Sequence, residues 1–257
     1  MRSHQPRWRI PALTLMIVSV AGTACTGSKP PVPAATNAGR KAVYVALGNG
    51  ETAGNGVKNR IRDAWPQLLY RNDFPRATVF ANFGQTNVTV EAALASQLPP
   101  ALALNPTVAT VNLTEDTFLT RDVTAFEARF NTLIRRLHRN GKTAVIIGNI
   151  PPGDREPGIL ACSPNPPAGS KPCQFDSTFD PQDENARDAS FNAAIARVAP
   201  ANGATLVDLP AAFLAARARG EEDAFWVGND FSPNEQGHAF IARQFAPAVR
   251  AALKSRG

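Results

Sequence analysis

From Lys41 onward, short apolar runs alternate with longer stretches in which apolar residues recur at helical spacing. The runs are Ala42 to Leu47, Thr78 to Ala81, Val108 to Leu113, Ala144 to Ile150 and Thr205 to Leu209. Few polar residues interrupt them, as expected of strands covered on both faces of a parallel sheet. Between them, Ile61 to Tyr70, Val90 to Leu104, Val123 to Arg139, Asp188 to Ala199 and Pro210 to Ala218 have helical spacing, and Asn234 to Lys254 closes the chain as a last helix. The alternation predicts the α/β class: a three-layer α/β/α sandwich around a central, mostly parallel five-stranded sheet of flavodoxin-like kind. Ligands of such sheets bind beyond the carboxyl ends of the strands. The loops after Leu47, Ala81, Leu113 and Ile150 are therefore the places to look for chemistry.

The first forty residues follow a different pattern. Arg2, Arg7 and Arg9 precede an apolar segment from Ile10 to Ala21, too short to span a bilayer, which is the form of an export signal. It ends at Gly22-Thr23-Ala24-Cys25, similar to a bacterial lipobox, whose small residues precede a cysteine that is lipidated and becomes the mature N-terminus. Gly22 stands where leucine is usual, and cleavage nearby by ordinary signal peptidase, leaving Cys25 a plain thiol, is the alternative. Residues 1–24 are thus expected to be a signal peptide, 25–40 a lipidated cysteine with a flexible tether, and 41–257 one domain. The expected location is the bacterial cell envelope, membrane-anchored through Cys25, or else secreted or periplasmic.

Cysteine arithmetic agrees with the anchor. Three cysteines are odd for an exported chain, and committing Cys25 to lipid leaves Cys162 and Cys173 in one proline- and glycine-rich loop, where a disulfide would staple an irregular excursion. Two lone cysteines are a poor metal set, and no metal or cofactor site is expected. The chain has 27 Lys and Arg against 21 Asp and Glu; without the leader's three arginines the excess falls to +3, so nucleic acid is not an implied partner. Arg135, Arg136, His138, Arg139 and Lys142 cluster on and after one helical stretch, the pattern of a solvated helix face, with contact to anionic headgroups as the alternative.

Four blocks at strand ends carry further information. They read Gly48-Asn49-Gly50-Glu51-Thr52-Ala53-Gly54, Asn82-Phe83-Gly84-Gln85-Thr86-Asn87-Val88-Thr89, Leu113-Thr114-Glu115-Asp116, and Asn229-Asp230-Phe231-Ser232-Pro233-Asn234-Glu235-Gln236-Gly237-His238. In that order they resemble the SGNH (GDSL) hydrolase family of esterases and lipases, over roughly Lys41 to Leu253. The resemblance implies the ester-hydrolase fold and also shows what has been replaced. Gly50 stands at the position of the nucleophilic serine and Asn49 at that of the preceding aspartate. Asn87 replaces a glycine whose N–H serves the oxyanion hole, and Glu115 the asparagine that completes it. Asn229 and Ser232 stand for the catalytic aspartate and histidine.

Acyl transfer needs a hydroxyl nucleophile, an imidazole in reach and an acid to orient it. Gly50 has no side chain, and a carboxylate at position 115 would repel the developing oxyanion. His238 lies six residues beyond the family's catalytic position, where a structural role is expected, and Thr86 and Ser232 read as loop-capping hydroxyls. The expectation is a catalytically inactive envelope domain that binds a glycan, lipid or protein, with an active ester hydrolase of rearranged site as the alternative. Candidate ligand-binding residues are Asn49, Glu51, Asn87, Glu115 and Asp230, whose acids would favour hydroxyl-rich or cationic groups. Asp116 reads as loop support, and acids capping helix starts are the plainer account of the set.

Overall fold

Strands Val43–Gly48 (β1), Val79–Asn82 (β2), Val108–Asn112 (β3), Ala144–Gly148 (β4) and Thr205–Val207 (β5) form one sheet in the order β2-β1-β3-β4-β5. Every neighbouring pair is parallel. This is a computed structural model that describes residues 42–173, 179–228 and 231–256. The leader, Cys25, the tether, Asn229 and Asp230 lie outside the described residues.

Successive side chains of a strand point to opposite faces, and the apolar runs supply both cores at once. Val45, Leu47, Ala109, Val111, Val145 and Ile147 face one layer, filled by Phe126, Phe130 and Leu133 of the Val123–His138 helix and by Phe191 and Ile195 of the Pro181–Ala201 helix. Tyr44, Ala46, Val108 and Ile146 face the other, against Trp65 and Leu69, Phe213, and Phe240, Phe245 and Val249 of the Glu235–Arg256 helix. Thr110 interrupts the apolar run of β3, and its hydroxyl is satisfied by the Tyr44 hydroxyl at 2.9 Å. The α/β/α sandwich follows, with an all-parallel sheet.

Two expected helices are broken in ways that matter for the site. The stretch from Val90 to Leu104 splits into Val90–Ser96 and Leu98–Ala103, because Pro99 and Pro100 can open a helix but not continue one. Gln97 sits at the break, wholly buried, and its amide accepts from Gly48 N–H at 3.0 Å and donates to Gly48 C=O at 2.8 Å. It thereby holds the end of β1. The stretch from Ile61 to Tyr70 likewise splits at Ala64, with Pro66 in the first turn of the Trp65–Asp73 helix.

Cys162 and Cys173 are disulfide-bonded. By chain entropy, a bridge closing a loop of this size contributes about 3 kcal/mol. Cys162 packs with Ile159 and Phe179, and Phe118 and Phe231 lie half-buried against them. Such a bond persists in an oxidising compartment, outside the cell or in a periplasm. Among the described residues no helix is long and apolar enough to cross a membrane. Arg135, Arg136 and Lys142 are exposed, as on a solvated helix face.

Candidate functional site

The carboxyl ends of β1 to β4 surround one depression, and close backbone approaches set its floor. A Cβ on Gly48 would lie 2.4 Å from Asn112 C=O, and one on Gly84 would lie 2.5 Å from Ala53 N, so both positions need glycine. Asn82 ties the first two loops together, donating to Thr52 C=O at 2.7 Å and accepting from Gly84 N–H at 2.9 Å. Asn87 has φ of +56°, the left-handed region that favours glycine and tolerates asparagine.

Glu115 closes this floor from β3. Its carboxylate accepts from Gly50 N–H at 3.1 Å on Oε1 and from Val88 N–H at 2.6 Å on Oε2, with Asn87 N–H directed at the same group. Burial pushes its pKa up, while these three donors pull it down. A Cβ on Gly50 would lie 2.5 Å from Asn55 Nδ2 and 3.3 Å from Glu115 Oε1, so those two side chains fill the space a serine would use.

His238 is fully buried, and both ring nitrogens are committed to backbone. Nδ1 accepts from Trp65 N–H at 3.1 Å, which leaves the proton on Nε2 to donate to Asn55 C=O at 2.8 Å. Burial lowers its pKa, so the ring is neutral. It joins the first-loop residue Asn55 to the helix that opens at Trp65. His238→Ala is expected to lose about 3 kcal/mol, from the cavity and the two orphaned backbone groups, seen as a fall in Tm of roughly 6–12 °C. A full-stability variant would contradict this role.

The remaining expected residues are placed as follows. Asn49 is fully buried, donates from Nδ2 to the Thr114 hydroxyl, and does not line the depression. Asp116 accepts from Val90 N–H at 2.7 Å, anchoring the start of the Val90–Ser96 helix as loop support. Thr86 donates to Asn55 Oδ1 at 3.1 Å. Ser232 lines the depression, its C=O accepting from Val227 N–H at 3.3 Å. Asn234 accepts from Gln236 and Gly237 N–H and donates to the Ala224 and Trp226 carbonyls, opening the last helix.

Comparison with known proteins fits this frame of glycines and asparagines. A profile of the GDSL-like lipase/acylhydrolase family matches residues 46–240. The chain belongs to that family. Among solved structures it is similar to the lipase/acylhydrolase from Enterococcus faecalis, with 16% identity over 82% of this chain and 96% of that one and a TM-score of 0.60. An acetylxylan esterase from Geobacillus stearothermophilus gives 15%, 81%, 94% and 0.59. Phospholipase A1 from Streptomyces albidoflavus gives 14%, 84%, 100% and 0.59. At these identities the likeness is one of fold. No curated protein sequence matches the chain.

Around the GDSL frame the chain builds a cavity of about 550 Å³, lined by Gly50, Glu51, Asn87, Glu115 and Ser232 and walled by Phe118, Phe179, Phe231, Phe213 and Trp226. Two acids that sequence reasoning missed join Glu51 and Glu115 there: Glu156, from the loop after β4, and Asp188, from the Pro181–Ala201 helix. Asn192, one turn along from Asp188, bonds both N–H and C=O of Ile150 at 2.8 Å and so brings that helix against the loop. A Cβ on Gly153 would lie 3.6 Å from Asp188 Oδ2 and 3.8 Å from Glu156 Oε1; the two carboxyls flank one spot. Burial first, then like-charge neighbours, pushes Glu51 and Asp188 up to about 7 and Glu156 well above the usual range. Among the described residues no group of three or more His, Cys, Asp or Glu has the geometry to hold a metal ion.

Proposed function

We propose that this domain keeps the GDSL fold for binding and does not hydrolyse esters, and that Cys25 tethers it to the envelope membrane. The observation that carries this is the Glu115 carboxylate on Gly50 N–H and Val88 N–H, with Asn87 N–H beside them. In serine hydrolases such donors are held ready for charge that develops only in the transition state, and removing one costs about 10²- to 10³-fold in rate. Here the Glu115 carboxyl group already occupies them. The serine position has no hydroxyl, and the neighbouring imidazole is neutral and bonded on both sides to backbone.

The cavity supports the binding half of the proposal. It combines an aromatic wall with a few buried polar atoms that have no partner in the protein, which is the composition of a small-molecule site. A glycan of the envelope fits better than a lipid chain, since an alkyl group would leave Asp188 Oδ1 and Glu51 Oε2 without hydrogen bonds. Treatment with a serine-reactive fluorophosphonate tests the claim, read by intact-protein mass. The wild-type protein is expected to take up no label; stoichiometric adduct on any hydroxyl would favour an ester hydrolase with a rearranged site.

A further inference from the structure

Resting on the binding role just argued, we propose that the cavity takes a sugar bearing a free amine, its ammonium held between Asp188 and Glu156 and its hydroxyls by Glu51 and Trp226. Charge selects the amine. The acids just behind the cavity are neutralised, Glu184 by Arg187 at 2.6 Å, and Glu222 and Asp154 by Arg217 at 2.5 and 2.8 Å. No salt bridge among the described residues involves Glu51, Glu115, Glu156 or Asp188, and Arg121 is the only cation among the described residues lining the cavity. Four carboxyls therefore converge on a desolvated space with little compensating charge, which favours their protonated forms when the cavity is unliganded, and a cation bound between Asp188 and Glu156 would favour the ionised forms and be held by them.

Unpartnered atoms select the sugar. Asp188 is 4% exposed, yet its Oδ1 has no hydrogen-bond partner while the residue lines the cavity. Glu51 Oε2 and Trp226 Nε1 are likewise buried and unpartnered, one an acceptor and the other a donor. Buried polar atoms in native proteins are nearly always satisfied, and orphans of both kinds on residues that line one cavity point to a ligand that both donates and accepts. A simple alkylamine would leave Trp226 Nε1 unanswered, and a neutral sugar would leave the carboxyl pair uncompensated. The edge-to-face cluster of Phe118, Phe179 and Phe231 offers apolar surface for the C–H face of a pyranose.

Calorimetry on the full mature protein tests this, with fully deacetylated chitobiose against N,N′-diacetylchitobiose near neutral pH. The deacetylated disaccharide is expected to bind at least 10-fold more tightly, and Asp188→Asn, with Glu156→Gln as a second variant, to weaken it at least 10-fold while melting cooperatively. Equal binding of the two sugars, or variants that bind as wild type, would overturn the amine requirement and leave the binding role standing. Failure of wild type to bind either sugar overturns the sugar assignment, and phosphonate labelling then decides separately whether the domain is a hydrolase.

Discussion

Glu115→Ala is expected to lose about 2 kcal/mol of stability and to become responsive to acetate. The variant strips the acceptor from Gly50 N–H and Val88 N–H, which Glu115 now holds at 3.1 and 2.6 Å. Hydrogen bonds to a charged partner contribute roughly 1.5–3 kcal/mol each, and the cost of burying the carboxylate, evident in its raised pKa, offsets part of that. For a domain of this size the loss lowers Tm by roughly 4–8 °C. The vacated donors form a small anion site, so acetate should restore what the side chain supplied. At about 20 times its Kd, a ligand of the folded state returns about 1.8 kcal/mol. Thermal melts in acetate and in chloride of equal ionic strength make the comparison. A variant with wild-type Tm and no acetate response would mean that the donors are not engaged by Glu115.

Asp188→Asn should stabilise the protein above neutral pH, by about 2 kcal/mol or roughly 4–8 °C in Tm. Asp188 titrates at about 7 in the folded chain against 3.8 ordinarily, because burial and then Glu184 disfavour its charged form. Between those values the folded state holds a proton that the unfolded state has lost, so stability falls as pH rises from about 4 to 7 and is flat above. The full gap is on the order of 4 kcal/mol, of which the amide keeps the cost of an imperfectly paired polar group. Glu51 contributes a slope of the same sign over the same window. His238 opposes it below pH 6.5: its folded pKa is lowered, so the stability of the neutral ring is lost as pH falls through the unfolded value. Melts at pH 5 and pH 8 should show the wild type losing more on going to alkaline pH than the variant does. An Asn variant less stable than wild type at pH 8 would show that Asp188 is a stabilising charge.

Most of the fold was legible because parallel strands bury both faces, and the runs from Val43, Val108 and Ala144 therefore stand out as continuous apolar stretches. Helix continuity was harder to read. Pro66, Pro99 and Pro100 sit in first turns, where proline opens a helix, and attention to that preference finds both breaks. The GDSL blocks located Gly50, Asn87, Glu115 and Ser232 because each sits within a few residues of a strand end or helix start. Glu156 and Asp188 lie in no such block. They meet only when Asn192 clasps Ile150, a contact over 42 residues of chain, and nothing local in either neighbourhood announces it. The charge of Glu115 was legible as an obstacle to catalysis; that it would satisfy the very donors it was expected to spoil required the geometry.

The most direct test of the account is steady-state hydrolysis of short-chain p-nitrophenyl esters and acetylated sugars by the wild-type protein, beside a Gly50→Ser/Glu115→Asn/Ser232→His variant. The triple change restores hydroxyl, amide donor and imidazole at the matching positions; its serine must displace Asn55 Nδ2, 2.5 Å from the new Cβ. The account predicts wild-type rates equal to the buffer blank, with any gain confined to the variant. Saturable turnover by the wild-type protein would contradict it.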